Sequence, residues 1–308
     1  MRRRGLATRT EAGYVGWYRR YVKFHKMRHP EELGQAGVEE FMDHLAVTQG
    51  VAPGTQNQAF SALLFLYREV LGQEWVNFSA KRAKQRKVLP VVLSKDEVSE
   101  ILSHLPSGTP RTVVSLLYGC GLRVTEALRL RVKDLDFPNR LIWVRQGKGG
   151  KDRSLRMPEA LGKTLAHEVR RARLMFDEGE ADGGARVYVE ASLDRKYGGK
   201  LSASWEWYWV FPTFRRGIDP ADGESKRHHL LEGAVSKWLQ KAVVKAKIEK
   251  KVTAHTFRHS YATHLCLAGS DLKSVQEALG HASVKTTEIY LQLVRAMKGV
   301  PESGTLVL

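Results

Sequence analysis

Five of the seven positions from 81 to 87 are basic (Lys81, Arg82, Lys84, Arg86 and Lys87), and Pro90 follows. A charge run of that density stays in solvent and a proline after it marks a break, so the stretch reads as a linker between two folded parts. The length agrees, because 308 residues exceed the size at which a single hydrophobic core stops growing. The expected division is a first domain over 1–80, a linker over 81–93 and a second domain over 94–308. The linker is open to two readings: a solvated charge run, or a basic strap that crosses a phosphate backbone and releases counterions.

Fifty Lys and Arg against 33 Asp and Glu give a net charge of +17, which favours a polyanionic partner and puts nucleic acid first. Membrane lipid is a poor alternative, since no basic amphipathic helix is paired with a lipidation signal. No apolar run approaches the roughly 20 residues of a membrane span, and Arg2, Arg3 and Arg4 are not followed by a secretory apolar stretch. The expected location is the bacterial cytoplasm, in association with the nucleoid. Cys120 and Cys266 are too few for a disulfide framework and read as small buried hydrophobes.

The first part reads as helices. Tyr14, Trp17, Tyr18, Tyr21 and Phe24 recur at helical spacing, as do Val38, Phe41, Met42 and Leu45. A third stripe, Ala59, Leu63, Leu66, Tyr67 and Leu71, follows Pro53-Gly54-Thr55, where Thr55 is the expected cap. Packing demands this spacing, so the aromatics are assigned to a helical core.

In the second part, Ser94 and Glu97 have capping-box spacing ahead of Val98, Ile101 and Leu102. Gly119 and Gly121 permit a tight bend that places Arg123 near a helix start. Residues 141–144 and 154–157 alternate as two strands around Gly147-Lys148-Gly149-Gly150-Lys151-Asp152-Arg153, a hairpin with a basic tip. Trp205, Trp207 and Trp209 then fall on alternate positions, which in a strand would share one face. Helices resume from Leu231; one runs from Thr253 to Gly269, a short one from Ser270 to Gly280, and a last one carries Tyr290. The fold class is mainly α with a small β-sheet.

On the helix after Thr253, His255, Arg258 and His259 share a face while Phe257, Tyr261 and Leu265 take another. A metal reading is weak: Thr256 stands where a zinc-protease motif has Glu, and Arg258 would repel the ion. Neither metal nor cofactor is expected.

Each piece alone is unspecific, but their order is not. Gly121-Leu122-Arg123-Val124-Thr125-Glu126, Gly147-Lys148-Gly149-Gly150-Lys151, His255-Thr256-Phe257-Arg258-His259, Leu279-Gly280-His281 and Tyr290 nine residues later resemble the motifs of the tyrosine recombinases. The likeness covers nearly the whole chain and implies a small helical core-binding domain followed by the catalytic domain. A closer similarity is to integron integrases. It rests on Arg28-His29-Pro30-Glu31-Glu32-Leu33, on Ala62-Leu63-Leu64-Phe65-Leu66-Tyr67, and on an inserted block, about 187–229, from Leu193-Asp194-Arg195-Lys196-Tyr197 through Val210-Phe211-Pro212 to Arg227-His228-His229. The N-terminus is short beside that subgroup, and the C-terminal tail, about 295–308, departs from it.

The resemblance implies a catalytic set of Arg123, Lys148, His255, Arg258, His281 and Tyr290. The residue types suit attack on a phosphodiester. Planar guanidiniums bind two oxygens at once where charge builds, so Arg123 and Arg258 fit there, with His281 as a third donor and His255 as a proton acceptor or further donor. Tyr290 supplies a nucleophile that conserves bond energy for rejoining. Lys148 is the general acid for the departing 5′ oxygen, with Lys151 as the nearby competitor. Glu126 buttresses. In the insertion, Trp207, His228 and His229 either complete a core or stack on unpaired bases of folded single-stranded sites. The implied partners are duplex DNA, folded single-stranded sites and, for synapsis, three further protomers in a tetramer.

Overall fold

The aromatic stripes of the first part do form a helical core. The computed structural model describes residues 8–73, 89–145, 152–182, 184–219 and 222–298. The basic linker run (Lys81, Arg82, Lys84, Arg86 and Lys87), the hairpin tip with Lys148 and Lys151, and the tail beyond 298 lie outside the described residues. The chain divides into two units, Met1–Val88 and Leu89–Leu308.

In the first unit, α1 (Thr8–Phe24), α2 (Pro30–Asp43) and α3 (Pro53–Phe65) enclose Tyr21, Val38, Phe41, Leu45, Leu63 and Tyr67. Two of these are tyrosines, and each hydroxyl is satisfied. Tyr21 and Tyr67 meet at 2.8 Å, and Tyr67 donates to the Pro30 carbonyl at 2.7 Å. Thr55 does not cap α3; Ala52 holds the cap position and Pro53 opens the helix. Proline fits the first turn because its φ is already helical and its missing N–H would have had no partner there.

The second unit begins with α4 (Lys95–Ser103), where both halves of the capping box form: Ser94 Oγ accepts from the Glu97 N–H, and Glu97 Oε2 from that of Ser94. Next come α5 (Thr109–Gly119) and α6 (Val124–Leu128). An antiparallel sheet follows, β1 (Leu135–Asp136), β2 (Leu141–Val144) and β3 (Arg153–Arg156), with Ile142 opposite Leu155 and Val144 opposite Arg153. The 23-residue α7 (Glu159–Ala181) packs on α5.

After α8 (Ala191–Lys196) the three tryptophans do not lie on a strand. Residues 205–207 form one 3-10 turn, in which the Tyr208 N–H returns to the Trp205 carbonyl at 3.0 Å. Alternation with Glu206 and Tyr208 imitates a strand, but local hydrogen bonding closes the turn. A hairpin of β4 (Pro212–Ile218) and β5 (Ser225–His229) completes the block. Val187, Val189, Tyr208 and Trp209 pack with Ala172 and Phe176 of α7 into a satellite core separate from the main one.

Four more α-helices follow among the described residues: α9 (Glu232–Lys245), α10 (Ala254–Leu267), α11 (Leu272–Leu279) and α12 (Glu288–Met297). Phe257 of α10 enters the main core with Leu117, Ile142 and Leu239, whereas Cys266, Leu279 and Leu293 make a smaller cluster around Tyr290. Both cysteines are buried and unpaired. The molecule is mostly helical with small sheets, as the sequence patterns imply. Among the described residues no helix is long and apolar enough to cross a membrane.

Candidate active site

Gly121 sets the position of Arg123. Its φ is +60°, and a Cβ there would sit 2.4 Å from the Tyr261 ring, so only glycine makes this bend. The chain then turns into α6 with Arg123 at the N-cap. Three residues on, Glu126 reaches back: Oε2 accepts from the Arg123 backbone N–H at 2.9 Å, and Oε1 from Arg123 Nη1 at 2.6 Å.

Glu126 is buried, its side chain 8% exposed. Burial alone would raise its pKa, but Arg153 and Arg123 outweigh burial and hold it at about 2. Arg153 makes the larger contribution, with Nη2 at 2.8 Å from Oε2 and Nη1 at 3.2 Å from Oε1. Arg258 comes from α10 and lies 3.7 Å from Oε2.

Arg258 does not stand on an open cationic face. It is 3% exposed, with Nη1 donating to the Gly121 carbonyl at 2.6 Å and Nη2 to that of Leu279 at 2.5 Å. Burial, then the neighbouring Arg123, lowers its pKa to about 10, which still leaves it charged at neutral pH.

A pattern emerges at the end of α11. Arg153 Nε donates to the Ala278 carbonyl at 3.2 Å, Arg258 to Leu279, and Arg123 Nη2 to Gly280 at 3.4 Å. Three guanidiniums thus meet three consecutive carbonyls at a helix C-terminus, where unpaired carbonyls and the helix dipole favour cations. Gly280, left-handed at φ 61° and ψ 48°, ends the helix and turns the chain into His281. The His281 Nδ1 lies 2.9 Å from Thr287 Oγ1, and its ring stacks on Tyr290 with centroids 6.3 Å apart.

Tyr290 is 1% exposed, and its hydroxyl lies 3.0 Å from His259 Nδ1. Burial raises the phenol's pKa, against the lowering influence of Arg258 and Arg123. Burial, then His255 and Arg258, lowers His259 to about 4, so a neutral imidazole faces a protonated phenol. His255 stands at the solvent edge, its own pKa lowered by partial burial and by Arg258 and Arg123.

Arg123, His255, Arg258, His281 and Tyr290 therefore gather in one region of the second unit, and Lys148 lies outside the described residues. Sequence reasoning passed over Arg153 and left His259 out of the set. Arg153 had a signal: it shares strand parity with Leu155, the buried position of β3, and an arginine on an inward face needs a buried partner.

Arg123 also lines a cleft of about 660 Å³ that runs to the inserted block, where Tyr188, Trp207, Trp209 and both histidines border it. Lys133 Nζ sits 3.0 Å from the centre of the Trp207 ring, and the Arg131 guanidinium 3.7 Å from that of Trp209. Burial, despite Asp134, lowers Lys133 to about 8. Trp209 is core, its Nε1 donating to the Arg227 carbonyl at 3.2 Å, and Trp205 packs on Phe176. Trp207 and His228 are half-buried at the cleft. His229 is 7% exposed and is held at about 4 by burial first.

The phage integrase family model matches residues 91–296, and the model of the phage integrase N-terminal SAM-like domain matches residues 1–77. An integrase/recombinase of Escherichia coli is 43% identical over 289 residues, covering 93% of this chain and 85% of that protein. The tyrosine recombinase XerA of Thermococcus kodakarensis is 31% identical over 309 residues, covering 98% and 92%. Among solved structures, the Tn1549 transposon integrase in complex with transposon right end DNA has the same fold at a TM-score of 0.65, with 18% identity and 97% and 95% coverage. XerH bound to its difH substrate gives 0.58, with 22% identity and 90% and 72% coverage.

Proposed function

The chain belongs to the phage integrase family, the tyrosine recombinases, and from that premise we propose that it is a recombinase of the integron integrase type, acting on gene-cassette sites. In this reading the Tyr290 oxygen attacks the scissile phosphorus, the bond to the 5′ oxygen breaks, and DNA remains joined through a 3′-phosphotyrosine. The phenol proton passes to His259, whose neutral ring already faces it. Lys148 gives a proton to the departing 5′ oxygen, with Lys151 as the alternative donor. Arg123, Arg258 and His281 hold the nonbridging oxygens, and His255 supports them from the solvent edge. The attack of the free 5′ hydroxyl of a partner strand reverses these steps, and a tetramer brings that strand close. Because Tyr290 is buried in the free chain, DNA binding must shift α12 to present the phenol. The protein acts on the nucleoid in the cytoplasm, with the basic strap at 81–87 and Lys151 on the DNA backbone.

The observation that carries the cassette-site reading is the cleft that joins Arg123 to Trp207, His228 and His229 of the inserted block. One strand held at Arg123 could there lay an unpaired base against aromatic and imidazole rings. The test is cleavage, by the purified protein, of a folded bottom strand against the same sequence as duplex. Faster cleavage of the folded strand, reduced towards the duplex rate by Trp207→Ala, is expected. Preference for the duplex would favour an enzyme that works on ordinary duplex sites.

A further inference from the structure

We propose that Arg153 is a positioning residue for strand cleavage: it occupies the Glu126 carboxylate so that Arg123 and Arg258 keep their positive charge for the phosphate. The proposal rests on the functional reading above and extends it to a residue which that reading leaves without a role.

A buried carboxylate beside two phosphate-binding arginines is a hazard, because it competes with substrate for both. Glu126 already holds Arg123 Nη1 at 2.6 Å and lies 3.7 Å from Arg258. Arg153 meets it in the two-pronged geometry that satisfies a carboxylate best, with contacts of 2.8 and 3.2 Å. One carboxylate among three guanidiniums leaves two net positive charges, which matches the two negative charges that build on the phosphorus oxygens during attack. Without Arg153 one charge remains, and Glu126 draws Arg123 inward.

The same side chain also fixes the turn that carries His281. Its Nε binds the Ala278 carbonyl, and its guanidinium lies so close to Gly280 that a Cβ there would be 2.7 Å from Nη1. Arg153 therefore sets the distance between the α6 N-cap, which carries Arg123, and the end of α11, which carries His281. It touches no reacting atom.

The experiment measures DNA affinity and single-turnover cleavage of a nicked substrate for the full chain and for Arg153→Met, Glu126→Gln, the double variant and Arg153→Lys. Arg153→Met is expected to bind DNA within about threefold of the parent and to cleave at least about tenfold more slowly, in line with the cost of small misplacements of reacting groups. Glu126→Gln in the Arg153→Met background is expected to recover at least about threefold, because it removes the carboxylate left uncompensated. A merely structural ion pair would show that rescue in melting temperature alone, so cleavage is compared at saturating DNA and at a temperature where every variant is folded, where such a pair would leave the rate unchanged. Arg153→Lys keeps the charge and loses the fork, so it is expected to fold and still cleave at least about tenfold slowly, which keeps the test open if the Met variant is unstable. Cleavage at the parental rate by Arg153→Lys, or a double variant slower than Arg153→Met alone, would overturn the proposal. A parent protein that fails to cleave would instead count against the functional reading itself.

Discussion

Arg258 shows why residue type matters more than charge at this site. Its guanidinium spans the carbonyls of Gly121 and Leu279 while facing Glu126, a geometry that a lysine ammonium cannot reproduce. Arg258→Lys should therefore lower single-turnover cleavage by about 10²- to 10³-fold, the range for losing one preorganised donor, with little change in DNA affinity by gel shift. The acid behaviour follows from His229 and His259. Their ordinary pKa is 6.5, and burial holds both at about 4, so between those values the unfolded chain binds protons that the folded chain refuses. Stability then falls as pH drops through that window, by the order of 2 kcal/mol for each histidine, and Glu126 adds a further loss below its ordinary 4.5. Urea midpoints at pH 7, 5.5 and 4.5 should fall in that order; a midpoint flat from pH 7 to 4.5 would contradict the assignment. That Arg123, Arg258, His281 and Tyr290 lie close together was to be expected, because each sits in a short motif of fixed order. Arg153 was not legible, because the glycine-rich tip before it drew the reading away from the strand it opens.

Elements were legible where a local signal had no competitor. The capping box at Ser94 and the start of α10 at Thr253 are such cases, and both stand in the fold. The signal of α7 is weak although Leu161, Leu165, Ala172 and Phe176 carry helical spacing, because charged residues fill the exposed faces of so long a helix. The 3-10 turn at Trp205 imitates a strand in the sequence because periodicity over five residues does not separate the two. At the end of α11 the fold leans on one residue: Gly280 combines a left-handed backbone with the close approach of Arg153. Gly280→Ala should cost at least about 1–2 kcal/mol from the backbone term alone, or roughly 2–8 °C in melting temperature. It should also slow cleavage by displacing His281. A variant as stable and active as the parent would show that Arg153 and the turn give way freely.

At the scale of the whole molecule, three features converge on DNA strand exchange: a net charge of +17, two family models that together span most of the chain, and a second unit that gathers three arginines around one buried carboxylate beside a buried tyrosine. The charge was legible from composition. The grouping of Arg123, Arg258, His281 and Tyr290 came from the family resemblance alone, and the place of Arg153 among them was not legible, since α6, β3, α10 and α11 meet across up to 157 positions of sequence. The claim that binds these scales together is that Tyr290 becomes covalently joined to DNA with protein cations in place of a metal. The direct measurement traps the complex on a nicked substrate in the presence of EDTA, digests it, and maps the modified peptide by mass spectrometry. The account predicts a 3′-phosphate ester on Tyr290, formed at the same rate with and without EDTA and absent from Tyr290→Phe. An adduct on another residue such as Tyr261, or a complex that forms only when Mg²⁺ is added, would contradict it.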